Sequence, residues 1–223
     1  MDSFTINTLS SFAGFLLFTP ARLSTFRWLS IDLSFLIQSQ QWEALRLLRE
    51  TVKKCSNLTR LTLKDILKCP VLLDFQKLES LRHLTFINCS CIFHEPSLKS
   101  NSRVTSETVQ RLDILGSSLS LGKSFCLTFP SVEYLTLKDI TVYDASSIEG
   151  FFKLSTLSLT NVKVVDKKYI SHPFLYMFES TNSDIMVSSK CPSLTVMKCD
   201  FFEEVPNTVK MLEVNHVLSI SGD

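Results

Sequence analysis

The sequence predicts an α/β solenoid, in which successive coils stack their short strands into one parallel sheet and return through mixed helices and loops. Three observations carry that reading. The hexapeptide Leu-Thr-Leu-Lys-Asp-Ile occurs at 61–66 and again, letter for letter, at 135–140. Both copies lie in the frame L-x-x-L-x-L, which also fits Leu58/Leu61/Leu63, Leu81/Leu84/Phe86, Val109/Leu112/Ile114, Val132/Leu135/Leu137 and Leu154/Leu157/Leu159. The frames begin at 58, 81, 109, 132 and 154, so their spacings are 23, 28, 23 and 22 residues. Periods of this size belong to repeats that each supply one supersecondary unit.

The frame has a physical basis. Its last two apolar residues are two apart and point to the same side of a strand. Its first lies three positions earlier, where the chain turns into that strand. One such strand cannot bury its face alone; a parallel stack gives a continuous apolar interior. Strands are therefore expected near 60–64, 83–87, 111–115, 134–138 and 156–160. Weaker copies stand at Leu194/Met197/Cys199 and Val209/Leu212/Val214, and an earlier one at Leu23/Phe26/Trp28. The unit at 171–182, with Pro173, Tyr176 and Phe178, fits least well.

Between the strands, Gln40 to Cys55 predicts a return helix. Trp42, Leu45, Leu48, Val52 and Cys55 recur at helical spacing, and Glu50 can pair with Lys54. The returns at 141–153 and 160–173 are shorter and predict loops or 3₁₀ turns. Residues 1–22 read as a cap or remnant segment and 23–223 as the repeat domain. The apolar run from Leu9 to Phe18 lacks a preceding Lys or Arg and a small-residue cleavage site, so a cap fits it better than a signal peptide. It is also too short for a membrane span. Ser97 to Thr108 is polar and reads as an exposed convex loop.

Composition narrows the function. The 223 residues are 45% hydrophobic and 20% charged, with 23 Lys plus Arg against 22 Asp plus Glu. That suits a packed domain and gives no bulk electrostatic reason to expect nucleic acid or an anionic membrane. Five glycines form no phosphate-cradling motif. The seven cysteines make an odd number without a C-x-x-C pair, which reads as buried thiols of a cytoplasmic or nuclear protein. The triplets Asn57-Leu-Thr and Asn88-Cys-Ser fall inside repeats and are better read as chance than as glycosylation sites.

Several strands are preceded by a recurring phrase: Cys55-Ser-Asn-Leu-Thr-Arg-Leu-Thr-Leu, Phe129-Pro-Ser-Val-Glu-Tyr-Leu-Thr-Leu, Cys191-Pro-Ser-Leu-Thr-Val-Met and Val205-Pro-Asn-Thr-Val-Lys-Met-Leu. The pattern resembles leucine-rich repeats, and the phrase is similar to the strand lead-ins of F-box proteins carrying them. The segment beginning Phe26-Arg-Trp-Leu-Ser-Ile-Asp-Leu-Ser is similar to the first repeat of fungal and plant members. The resemblance spans roughly residues 22–217. It implies a parallel sheet on the concave face and a repeat surface that holds a substrate protein. A separate F-box bundle would dock a Skp-type adaptor of a ubiquitin ligase. No F-box is visible, since 22 residues before the first repeat are too few for that bundle. Scaffolding without a ubiquitin role is the alternative within the same class, and an enzyme or metal protein built on a repeat frame is the alternative from a different one. The asparagine that often closes the repeat is replaced by Ile66, Cys89, Ser117, Ile140 and Val162, which predicts an irregular inner hydrogen-bond ladder.

In that architecture the residues flanking the two inner apolar ones face solvent on the concave side. They form three columns: Arg60, His83, Arg111, Tyr134, Thr156; then Thr62, Thr85, Asp113, Thr136, Ser158; then Lys64, Ile87, Leu115, Lys138, Thr160. Arg60, His83, Arg111, Tyr134, Lys64 and Lys138 are the candidate partner-binding residues, because Arg and Tyr concentrate binding energy at protein interfaces. Such a face favours a protein partner with acidic groups and an apolar contact. The Thr- and Ser-rich second column suits any exposed strand. Cys89, Cys91 and His94 form C-x-C-x-x-H, but no fourth ligand appears, so no metal is expected. His172 and His216 stand alone and read as surface or turn residues. Neither H-E-x-x-H nor G-x-S-x-G occurs, and no catalytic residue, cofactor or enzymatic role is expected.

Overall fold

The computed structural model describes residues 2–67, 77–90, 106–117, 126, 128–200, 202 and 205–214. Its main sheet has ten strands, each parallel to its neighbours. In spatial order they are β1 (Ser3–Ile6), β2 (Trp28–Asp32), β3 (Arg60–Lys64), β4 (His83–Ile87), β5 (Arg111–Leu115), β6 (Tyr134–Lys138), β8 (Thr156–Thr160), β11 (Met177–Thr181), β13 (Val196–Cys199) and β14 (Met211–Val214). Chain order equals spatial order, as a solenoid requires. The five strands expected from the repeat frame coincide with β3, β4, β5, β6 and β8 to the residue.

The inner pair of each frame stacks on its counterparts. Leu61 pairs with Leu84, Leu112, Leu135 and Leu157 in turn, and Leu63 with Phe86, Ile114, Leu137 and Leu159. All ten are at most 2% exposed, so the core is a continuous column rather than a central ball. The first copy is shifted from the expected frame. Trp28 aligns with Arg60, and Leu29 and Ile31 align with Leu61 and Leu63, so the frame is Phe26/Leu29/Ile31. Trp28 therefore faces outward, 43% exposed. The poorly fitting unit does form a strand, with Leu175 and Phe178 buried and Ser180 in the last inner position.

The returns differ from coil to coil. α3 (Gln38–Val52) is a true helix, but its buried side is Gln41, Ala44, Leu45, Leu48, Thr51 and Val52. Trp42 lies off that face at 44% exposure, and Glu50 pairs with Lys53 rather than Lys54. Buried Gln41 explains the rotation. Its Nε2 donates to the carbonyls of Leu33 and Asp65 at 3.0 Å, and its Oε1 accepts from the Leu67 N–H at 2.9 Å. One amide side chain thus ties the helix to two successive turns. Later returns are a 3₁₀ turn at Ala145–Gly150 and two small parallel pairs: β7 (Thr141–Val142) with β9 (Lys163–Val164), and β10 (Tyr169–Ile170) with β12 (Met186–Val187). At the N-terminal end β1 extends the sheet. α1 (Leu9–Leu16) is capped by Thr8, α2 (Pro20–Leu23) follows, and Phe4, Phe15, Phe18 and Phe26 cluster with ring centroids 5.2–6.3 Å apart.

The ladder at the strand ends is regular, contrary to the expectation drawn from the missing asparagine. The residue after β3, β4, β5, β6, β8 and β11 is Asp65, Asn88, Gly116, Asp139, Asn161 and Asn182 respectively, all with φ between 50° and 58°. Asp, Asn and Gly tolerate this left-handed region best. Backbone N–H groups of the first five donate to the adjoining coil at 2.8–2.9 Å. Asn88 donates to Asp65, Asn161 to Asp139 and Asn182 to Asn161 through their side-chain amides. Ile66, Cys89, Ser117, Ile140 and Val162, one residue later, are buried. The amide of Asn88 is thus committed to the ladder, and that of Asn57 donates to the Ser24 carbonyl at 2.8 Å.

Candidate functional site

At the start of each strand, one carbonyl receives two N–H groups from the next coil. Thr59 and Arg60 both donate to the Arg27 carbonyl, Arg82 and His83 to that of Thr59, and Gln110 and Arg111 to that of Arg82, at 2.9–3.0 Å. The shared acceptor recurs in register from coil to coil, with one residue facing one across each pair of strands. Along these strand starts lies a shallow depression of about 570 Å³ lined by Thr59, Arg60, Arg82, His83, Gln110, Arg111 and Tyr134. Two consecutive residues of a coil share it three times over. Alternation alone predicts only Arg60, His83, Arg111 and Tyr134. Arg82, Gln110 and Thr59, which precede the strands, are missed for that reason.

Two of the lining residues, His83 and Arg111, engage Asp113, which the frame places among solvent-facing residues but which is only 8% exposed. His83 reaches it through Nε2 at 2.5 Å, and Arg111 donates Nε–H to Oδ1 at 3.2 Å. Burial pulls the Asp113 carboxyl upward, but hydrogen bonds from His83 and Thr136 and the charges of His83 and Arg111 outweigh it. The group is held below its ordinary value of 3.8. Of the three guanidinium groups lining the depression (Arg60, Arg82 and Arg111), Arg111 alone pairs with that carboxylate. Arg82 also donates to the carbonyls of Glu79 and Leu81. Tyr134 closes one side, 46% exposed.

Lys64 and Lys138 are not part of this arrangement. They stand four residues further along their strands, about 13 Å away at the usual rise. Lys64 is engaged by Asp32 at 2.9 Å and by Asp65 at 3.6 Å, and the hydrogen bond it donates to Asp32 raises its affinity for its proton. Lys138 is exposed at the end of β6.

Other candidates resolve differently. His172 is buried at 1% exposure, against the expectation of a surface residue. Its Nε2 faces the Phe151 carbonyl at 2.9 Å and its Nδ1 accepts from the Phe174 N–H at 3.3 Å, which describes a neutral ring holding two coils together. Burial lowers its pKa from 6.5. Cys89 is buried with Sγ 3.3 Å from the Leu63 and Ile87 carbonyls; Cys91, His94 and His216 lie outside the described residues. No cluster of three or more His, Cys, Asp or Glu side chains able to hold a metal occurs among the described residues. Cys55, Cys126, Cys191 and Cys199 are buried, and burial pushes the thiols of Cys55 and Cys126 up to about 12. Of the polar segment 97–108 only 106–108 is described, and Ser106 is buried. Among the described residues no helix is long and apolar enough to cross a membrane.

No protein-family profile matches the chain, and no characterised protein matches it in sequence. Solved structures do match in fold. An internalin from Listeria monocytogenes superposes with a TM-score of 0.50 at 10% identity, over 96% of this chain and 59% of that one. The fold is an irregular leucine-rich-repeat solenoid. TLR13, solved as a complex with ssRNA13, superposes with a TM-score of 0.39 at 15% identity, over 96% of this chain and 43% of that one. This solenoid therefore spans less than two thirds of either neighbour. At such identities the likeness concerns the fold, with its parallel sheet on the concave face.

Proposed function

We propose that this leucine-rich-repeat chain is a non-enzymatic binding module that holds a protein partner on the open face of its sheet. The depression over β3–β6 would be the contact that selects the partner. The observation that carries the reading is the gathering of Arg60, Arg82 and Arg111 along one depression beside exposed Tyr134, with only Arg111 paired to a carboxylate, that of Asp113. Arg and Tyr are the residues most enriched where binding energy concentrates, and an uncompensated cationic patch complements acidic side chains on a partner. Binding fits the cluster better than catalysis does. Thr85 Oγ1 and Asp113 Oδ2 both address the same nitrogen of His83, at 3.3 and 2.5 Å. A nucleophile–base–orienter relay needs the two nitrogens used separately.

Substrate recognition within an F-box-type ubiquitin ligase is a narrower form of this proposal. Its support is the recurring lead-in phrase at Cys55, Phe129, Cys191 and Val205. Co-purification with a Skp-type adaptor tests it separately. The broader proposal is tested by affinity capture with three baits: the wild type, Arg60→Ala/Arg111→Ala/Tyr134→Ala, and a control with Thr156→Ala/Met177→Ala/Val196→Ala on the other half of the same face. Partners kept by the wild type and the control but lost by the first variant support the reading. Equal yields from all three baits contradict it.

A further inference from the structure

The contact between Arg111 and Asp113 is one-sided, and the side matters. Arg111 points its Nε–H at the carboxylate, 3.2 Å from Oδ1 and 3.4 Å from Oδ2. Its two terminal nitrogens take no hydrogen bond among the described residues. Neither does the guanidinium of Arg60, the residue facing the same depression two strands away. Asp113 cannot turn away, because His83 and Thr136 grip it from the adjoining strands β4 and β6. Its burial on an otherwise exposed face follows from the side chains folded over it. The terminal N–H edge of Arg111, whose side chain is 53% exposed, is thereby left for a ligand.

We propose that the depression is an oxyanion-binding site. Arg111 receives a carboxylate or phosphate group through its two terminal nitrogens, Arg60 and Arg82 supply further positive charge, and Asp113 is the positioning residue that fixes the fork. The proposal deepens the binding reading above and rests on it for biological purpose, but it concerns a property of the isolated chain. A guanidinium matches a planar carboxylate or a phosphate edge with two parallel hydrogen bonds. Fixing it beforehand removes the ordering cost that a free arginine meets on binding. Net charge gives the opposite expectation for Asp113, since a carboxylate beside an anion site should repel the ligand. The two effects can therefore be separated by experiment.

The test is a titration of the full chain with sodium phosphate and, separately, sodium acetate at constant ionic strength, followed through the Arg111 Nε–H resonance. Arg111→Lys assigns that resonance. The result expected is a saturable shift in the wild type and binding at least about threefold weaker in Asp113→Asn, although that variant loses a negative charge. Tighter or unchanged binding in Asp113→Asn overturns the positioning role, and a silent wild type overturns the site. Should Asp113→Asn fail to fold by circular dichroism, Arg111→Lys decides. It retains the charge and loses the fork, so binding at wild-type strength, read from backbone resonances of β5, refutes the proposal. Phosphate alone shifting the resonance points to a phosphorylated partner group. Acetate competing at similar concentration points to side-chain or terminal carboxylates. Failure here leaves the capture experiment standing, because a face can bind a protein without a built anion site. Capture that ignores the face, alongside a working titration, sinks only the broader reading.

Discussion

From β2 to β6 the outward residues at the strand starts are Trp28, Arg60, His83, Arg111 and Tyr134. Over β8, β11, β13 and β14 they are Thr156, Met177, Val196 and Met211. The backbone beneath is the same in both halves: the doubled hydrogen bond at each strand start continues through Ser155, Tyr176 and Thr195. The charges differ in how they are satisfied. In the second half Lys198 lies between Glu179 and Glu213, at 3.9 and 3.3 Å, so that cation is already shared by two carboxylates of its own column. In the first half Asp113 pairs with His83 and Arg111, while Arg60 and Arg82 pair with no carboxylate among the described residues. Inner positions make both halves stack, and outer positions make only one of them electrostatically incomplete. A repeat can therefore keep its frame while its surface is free to vary.

The largest expected effect concerns the shared inner column. Leu135 is 1% exposed between Leu112 and Leu157. Leu135→Asp should abolish cooperative folding, because it buries an unpaired charge between coils, and Leu135→Ala should cost about 3 kcal/mol in urea unfolding. Thr136, its outward neighbour, is a poor control because it bonds to Asp113, so a second carboxylate there would repel the first. Thr62, between Ser30 and Thr85, is the better one. Thr62→Asp should change stability by under about 0.5 kcal/mol. Matching losses for the inner and outer substitutions would mean that the register is wrong.

A smaller effect is expected at the turn ladder common to both halves. Gly116 has φ 58°, and a Cβ there would sit 2.5 Å from Asn88 Oδ1. Gly116→Ala should cost about 1–2 kcal/mol, lowering Tm by a few degrees. An unchanged Tm would show that this turn relaxes freely.

The pH dependence separates His172 from Asp113. Burial lowers the folded-state pKa of His172 below 6.5, so the unfolded chain binds the proton more tightly. Its contribution is complete above about pH 6.5 and is lost as pH falls through the folded-state value. Asp113, also depressed, contributes above its ordinary 3.8 and is lost only at lower pH. Urea unfolding between pH 7 and 5 should therefore show declining stability in the wild type and a flatter slope in His172→Gln. Equal slopes would contradict a neutral, buried ring. Replacing Arg60, Arg111 and Tyr134 with Ala should leave stability the least changed, since none belongs to the inner set, while partner capture falls in a salt-dependent way.

Much of this fold was legible in the sequence because its code is one-dimensional. An apolar pair two apart, repeated about every 23 residues, sets strand, face and neighbour at once. What escaped notice depends on contacts the frame does not encode. Trp28 and Leu29 both suit a strand, and only pairing with Arg60 and Leu61 decides between them. The side of α3 is turned by buried Gln41, which periodicity of apolar residues cannot register. The turn ladder was present as Asp, Asn or Gly after each of six strands, one residue before the position where asparagine was sought. For the candidate site, the column of Arg60, His83, Arg111 and Tyr134 was legible. The part played by Arg82, one residue before its strand, was not, nor was the burial of Asp113, which arises only when three strands bring His83, Arg111 and Thr136 around it.

The most direct test of the account is site-resolved photo-crosslinking. A benzophenone amino acid would be placed singly at Tyr134 in the cationic half, at Met177 in the apolar half, and at Val165, 64% exposed on a return. The account predicts that the protein crosslinked at Tyr134 is absent from the Met177 and Val165 samples or much weaker there, and disappears when Arg60 and Arg111 are Ala. The same adduct in equal yield at Val165, indifferent to the two arginines, would contradict it and move the binding surface off the sheet.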